Sequence, residues 1–90
     1  MEHGYIHKAF NSHYLIGEYH QACSKLLALY DHVLPKDFLH EYELQMVTEI
    51  ENIHALNGKM NKDQVDKFIF KHFEFLMNKI SPTKSNILPF

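Results

Sequence analysis

Helix-breaking residues are scarce in this chain and stand far apart, which limits it to long uninterrupted elements. Among 90 residues there are three glycines and three prolines. Between them, apolar residues recur at spacings of three and four, the period of an α-helix. The sequence therefore predicts an all-α fold, a compact antiparallel bundle of three long helices. The breaks that separate the segments are Gly17, Pro35, Asn57-Gly58 and Ser81-Pro82.

The first segment, residues 5–33, contains a glycine at position 17. Glycine costs about 1 kcal/mol relative to alanine inside a helix. We therefore favour a break or bend at Gly17, with a short first helix that ends near Ser12, over one helix that continues through it. With this break the bundle has four helices.

The next two helices carry recognisable boundary signals. Pro35 suits the first residue of the second helix, where its missing N–H would have no partner in any case. Gly58 takes the left-handed conformation that ends many helices. Asn61 and Gln64 form a variant of the capping box, which predicts the start of the third helix.

A chain of this length can build one hydrophobic core but not two. We assign residues 1–80 to a single helical domain and residues 81–90 to a C-terminal tail. The tail ends in four apolar residues, 87–90. We expect them to pack on the bundle; the alternative is a short docking peptide for a partner.

The cysteine and charge content restrict the expected cellular compartment and the expected classes of binding partner. Cys23 is the one cysteine, so no internal disulfide can form and a reducing, cytoplasmic location is expected. No apolar run is long enough to cross a membrane, and the N-terminus lacks the pattern of a signal peptide. All nine basic residues are lysine and the net charge is -2. Because arginine is the preferred side chain for phosphate and guanine contacts, nucleic acid is a disfavoured partner.

Eight histidines are the unusual feature of the composition. Glu51 and His54 form one Glu-x-x-His pair, but di-iron bundles need this motif twice. Antiparallel helices would bring His20, His72 and Glu49 level near mid-bundle, which makes them the best candidate metal ligands. The simpler interpretation is that each imidazole bonds a carbonyl or faces water. We therefore expect no metal and no cofactor.

Sequence motifs for catalysis are missing. Cys23 falls on the apolar stripe of the first segment, where a cysteine usually serves as a small core residue. The chain has no Gly-rich phosphate loop, no Gly-x-Ser-x-Gly and no Cys-x-x-Cys. We predict that the protein is not an enzyme.

Aromatic residues exceed what three short helices can comfortably bury. The chain has five Tyr and seven Phe. We expect Tyr14, Phe70 and Phe75 to be exposed, since exposed aromatic side chains are typical of protein interfaces. Asp37 and Glu41, near the start of the second helix, add an acidic face. These five residues are the predicted partner-binding set.

These features favour a small intracellular protein-binding regulator, such as an inhibitor, an immunity-type protein or an adaptor. It would act by occluding a protein partner without chemistry of its own. A homodimer that covers the apolar third helix fits the same residues. Two alternatives stay open: a helix-turn-helix-like DNA-binding regulator that uses the lysines of the third helix, and a histidine-based metal or pH sensor.

Overall fold

A computed structural model describes residues 2–80 of the chain, with side chains described from residue 5 onward. Among these residues there is no strand, and the predicted all-α bundle is confirmed. The predicted tail, residues 81–90, lies outside the described residues. A 3-10 turn, Ala28–Tyr30, directly follows the second helix. The helices are α1 Glu2–Leu15, α2 Tyr19–Leu27, α3 Lys36–Asn57 and α4 Lys62–Ile80.

The break at Gly17 separates α1 from α2. Gly17 has a φ of 84°, which a residue with a side chain adopts only at a cost. Its N–H donates to the carbonyl of Tyr14 at 3.1 Å, and the N–H of Glu18 donates to the carbonyl of His13 at 2.9 Å. This pair of hydrogen bonds is the Schellman motif, which ends a helix. The bundle therefore has four helices, and α1 continues three residues beyond the predicted end near Ser12.

The boundaries of α3 follow the proline and glycine signals, and only its start is shifted, by one residue. Pro35 is the N-cap and not the first helical residue, since its ψ of 146° is extended and α3 begins at Lys36. Its carbonyl accepts the N–H of Leu39 at 3.0 Å. At the other end, Gly58 has a φ of 79° and its N–H donates to the carbonyl of His54.

The capping box at the start of α4 is confirmed. The backbone N–H of Gln64 donates to Oδ1 of Asn61 at 2.8 Å. In return, the N–H of Asn61 donates to Oε1 of Gln64 at 2.9 Å. Two N–H groups that the helix itself cannot satisfy thus find partners in side chains.

The four helices form a ring in which α1 packs against α2 and α4, and α3 packs against the same two helices. The apolar residues that recur at helical spacing supply the core, with three exceptions. Leu15, Val33 and Leu56 are exposed. Leu15 lies beside the Gly17 turn, Val33 in the loop before Pro35, and Leu56 in the last turn of α3. The largest fully buried side chains are Tyr14, Phe10, Leu26, Met46, Ile50, Ile69, Leu76, Val65 and Cys23.

Substitution of Gly17 by alanine should destabilise the protein by about 1–2 kcal/mol, the cost of the left-handed conformation for a residue with a Cβ. Nothing lies within 4 Å of the added Cβ, so the loss comes from the backbone alone. The free energy of unfolding in urea measures it. Gly17→Asn should lose less, since asparagine tolerates this conformation. An increase in stability for Gly17→Ala would instead indicate a continuous helix, in which alanine is the better residue.

Candidate functional site

Histidine side chains bridge all four boundaries between neighbouring helices. In each case a ring nitrogen lies within hydrogen-bonding distance of a carboxylate on the next helix or at its N-cap. These contacts place an imidazole–carboxylate pair at each boundary. From α1/α2 around the ring, the pairs are His13–Glu18 at 2.8 Å, His20–Glu43 at 3.1 Å, His72–Glu49 at 3.0 Å and His7–Asp66 at 3.0 Å.

The α3/α4 boundary holds the most buried of these histidines. His72 has 8% of its surface exposed. The hydroxyl of Tyr42 lies 2.6 Å from Nδ1 of His72, and Nε2 lies 3.0 Å from one oxygen of Glu49. The other oxygen of Glu49 accepts a hydrogen bond from the ammonium group of Lys71. With Nδ1 as acceptor and Nε2–H as donor, a neutral imidazole satisfies both neighbours.

The environment keeps Tyr42 and His72 uncharged at neutral pH. Burial lowers the pKa of His72, and this effect outweighs the opposing influence of Glu49. Burial, together with Glu49 and Tyr30, raises the pKa of Tyr42 to about 12. Tyr42 is therefore a phenol at neutral pH, poorly suited to act as a nucleophile or a base. The arrangement fixes the Tyr42 ring in one position.

A second buried tyrosine–histidine pair joins α1 to α3. The N–H of Met60 donates to the hydroxyl oxygen of Tyr14 at 2.8 Å, and that hydroxyl lies 2.6 Å from Nε2 of His54, its acceptor. Tyr14 is fully buried, and burial raises its pKa. The prediction that Tyr14 is exposed is therefore wrong. Phe10, four residues earlier on the same face of α1 and also fully buried, was the signal in the sequence that pointed to the core.

The candidate metal ligands do not assemble into one site. His72 and Glu49 meet as expected, but His20 pairs with Glu43. This pairing places the centre of the α2/α3 turn near residues 31–32, since the 3-10 turn and loop shift it away from Pro35. Within residues 5–80, no group of three or more His, Cys, Asp or Glu side chains could hold a metal ion.

Cys23 occupies the core, as its place on the apolar stripe indicated. Its side chain is fully buried. Burial, with smaller contributions from Glu43 and Glu49, raises the pKa of the thiol to about 12. The thiolate needed for nucleophilic or redox chemistry is therefore disfavoured at this position.

Phe70 and Phe75 are both exposed but lie on different sides of α4. Five residues of helix correspond to a rotation of about 140°. Phe75, with 53% of its surface exposed, faces α3 and stacks on Tyr42 with a centroid distance of 5.7 Å and an interplanar angle of 8°. Phe38 also stacks on Tyr42, at 5.7 Å and 23°. We call Phe38, Tyr42 and Phe75 the aromatic stack; Phe70, with 65% exposed, is not part of it.

The predicted acidic residues stand beside the aromatic stack. Asp37 and Glu41 are exposed, one helical turn apart on α3, and each directly precedes a member of the stack in sequence. Across the described part of the chain neither carboxylate forms a salt bridge. α3 as a whole has five acidic residues and one lysine. Glu41 follows Phe38 by three residues, so these two side chains are neighbours on the surface of α3.

Comparison with protein-family models, curated proteins and solved structures finds no match to this chain. None of the helices in the described region, residues 2–80, is long and apolar enough to cross a membrane. The surfaces and side-chain networks of this chain are therefore the features from which a function can be inferred.

Substitution of Tyr14 by phenylalanine should lower the free energy of unfolding by about 1–3 kcal/mol, because it leaves the buried N–H of Met60 and the His54 ring without a partner. Urea denaturation measures the loss. Tyr30→Phe is the matched control: Tyr30 is buried, and its hydroxyl has no hydrogen-bond partner within residues 5–80. Equal losses in both variants would contradict a specific role for the Tyr14 hydroxyl.

The lowered pKa of His72 predicts that acid destabilises the bundle through this residue. A histidine with a pKa below its unfolded value of 6.5 contributes stability that is present above pH 6.5 and lost as the pH falls through the folded pKa. The His72→Gln variant keeps a donor and an acceptor but cannot titrate. Between pH 7 and pH 5, wild type should therefore lose more stability than this variant. The other seven histidines are common to both proteins, so parallel pH profiles would refute the prediction.

Proposed function

We propose that the protein is a small non-catalytic regulator that binds a protein partner and covers part of its surface, as an inhibitor, immunity-type protein or adaptor does. The observation that carries this proposal is the half-exposed Phe75, stacked on Tyr42, together with two exposed carboxylates on α3 that form no salt bridge with any described residue. The binding surface consists of Phe38, Phe75, Asp37 and Glu41.

The aromatic stack has the properties of an interface anchor. Phe75 presents a large apolar surface to solvent, yet its ring is supported by Tyr42, whose hydroxyl is hydrogen-bonded to His72. A side chain already fixed before binding loses little conformational entropy when a partner covers it. Phenylalanine, like tyrosine and tryptophan, is enriched at protein interfaces.

The acidic residues define the charge of the partner. Asp37 and Glu41 border the stack and form no salt bridge with any described residue. A partner with lysine or arginine side chains around an apolar contact would be complementary to this surface. Such charges mainly increase the association rate and the specificity. The proposed partner is therefore a protein with a basic patch around an apolar centre.

The lysines of α4 give the DNA-binding alternative little support. Lys62 lies 3.3 Å from Asp66, and Lys67 lies 3.5 Å from Asp63. Lys71 pairs with Glu49. Carboxylates next to these lysines reduce the positive potential that a phosphate backbone requires.

We expect Phe75→Ala to reduce partner binding at least tenfold, a typical loss for an aromatic anchor, whereas Phe70→Ala leaves it unchanged. Both variants remove an exposed phenylalanine from the same helix, so they are matched in their effect on α4. Tagged wild type and both variants are used to capture proteins from a lysate of the cells that encode the chain. The supporting result is a protein retained by wild type and Phe70→Ala but not by Phe75→Ala.

The charge contribution is tested with Asp37→Lys combined with Glu41→Lys. This variant should retain less of the same protein, and added salt should reduce the retention by wild type. A set of captured proteins that is identical for all variants would contradict the proposed surface. Light scattering of the purified protein tests the homodimer: a dimer that Phe75→Ala dissociates would show that the surface serves self-association.

A further inference from the structure

The aromatic stack and the buried histidine are parts of one physical unit, because both depend on Tyr42. One face of the Tyr42 ring supports Phe75, and its hydroxyl donates to Nδ1 of His72 at 2.6 Å. The His72 ring also meets the Tyr42 ring edge-on, with a centroid distance of 5.5 Å. A change in the protonation of His72 therefore acts directly on the residue that positions Phe75.

Solvent protons can reach this unit through a shallow groove between α3 and α4. The groove has a volume of 280 Å³. Its lining includes both the His72 imidazole and the exposed Phe75 ring, so a change in the protonation of His72 takes place next to Phe75. The lining residues are Tyr42, Gln45, Lys71, His72 and Phe75.

The ionisable groups around His72 come from every element packed near it. α3 contributes Glu49, and α4 contributes Lys71, which opposes the Glu49 charge. Tyr30 of the 3-10 turn interacts electrostatically with Tyr42, and Cys23 of α2 interacts with Glu49. Tyr30 and Cys23 are both uncharged at neutral pH. Among the described residues, Glu49 is therefore the group that favours the protonated imidazole, and it also pairs with Lys71.

Protonation removes the acceptor that Tyr42 uses. The imidazolium carries N–H on both nitrogens, so Nδ1 becomes a donor to the Tyr42 hydroxyl oxygen, and the tyrosine O–H loses its acceptor. Tyr42 is 8% exposed, and a buried hydroxyl without an acceptor is costly. The His72 bond to Glu49 persists, and is strengthened by charge. The cost of protonation therefore falls on Tyr42 and on the rings stacked against it.

We propose that His72 is a pH-sensitive switch for the aromatic stack: its protonation reverses the Tyr42–His72 hydrogen bond, the buried Tyr42 O–H is left without its acceptor, and the Tyr42–Phe75 packing loosens. The consequence for a partner rests on the proposed function, since the stack is the proposed binding surface. Acid weakens binding at this surface, and neutral pH restores it.

Burial sets the pH range in which the switch works. Because desolvation lowers the pKa of His72 from 6.5, the stack is intact at neutral pH and responds on the acidic side of that value. The other three bridging histidines form carboxylate pairs that lie closer to solvent.

The experiment is an NMR pH titration of the free full-length chain, in which the His72 ring nitrogens and the Phe75 and Phe70 ring carbons are followed together. We expect the Phe75 signals to shift with the same midpoint as His72, while the Phe70 signals do not follow it. Phe75 signals that stay constant through the His72 titration would overturn the proposal. A shift of Phe70 equal to that of Phe75 would also overturn it, because it indicates a global change.

Two variants test the coupling in the other direction. In Tyr42→Phe the neutral imidazole loses its hydroxyl donor, so the His72 midpoint should rise above the wild-type value. In Glu49→Gln the cation loses its carboxylate, so the midpoint should fall. A midpoint that Tyr42→Phe leaves unchanged contradicts the switch, even if Glu49→Gln lowers it. These measurements need no partner, so their outcome is independent of the capture experiments on Phe75→Ala and Phe70→Ala.

Discussion

The hydroxyls of two buried tyrosines, Tyr14 and Tyr42, find their acceptors in histidine rings. Tyr42 uses His72, and Tyr14 uses His54, each at an O–N distance of 2.6 Å. These two bonds join α3 to α4 and α1 to α3. A short chain with a single cysteine can use no internal disulfide to hold its helices together. Oriented polar contacts inside an aromatic core specify the relative position of the helices, in addition to the apolar burial that drives their association.

The same dependence connects the core to the surface. The hydroxyl of Tyr42 is hydrogen-bonded to His72, and its ring stacks on Phe75, so an exposed phenylalanine is linked to the core. Phe70 is similarly exposed but shows no such support among the described ring contacts. The difference lies in the neighbours of each ring. Composition alone identifies both residues as surplus aromatics and cannot separate them.

The helix boundaries could be predicted from the sequence more reliably than the side-chain pairs between helices. Gly17, Gly58 and the Asn61–Gln64 box mark helix ends through local backbone chemistry, and the structure has them at those positions. The partner of His20 could not be predicted in this way. It depends on where the α2/α3 turn is centred, and the 3-10 turn has no signal in the sequence. Because of this turn, His20 pairs with Glu43.

Features that lie within one or two turns of chain could be predicted from the amino-acid sequence: helical periodicity, the glycines with positive φ, the cap and the apolar stripes. These follow from backbone sterics and from the 3.6-residue repeat. The pairing of polar atoms depends instead on how the helices pack. Tyr14 shares its face with Phe10, so its burial was readable, but its bonds to His54 and Met60 span 40 residues or more of chain. Hydrogen bonds need positions accurate to a few tenths of an ångström, and only the packed helices provide that accuracy.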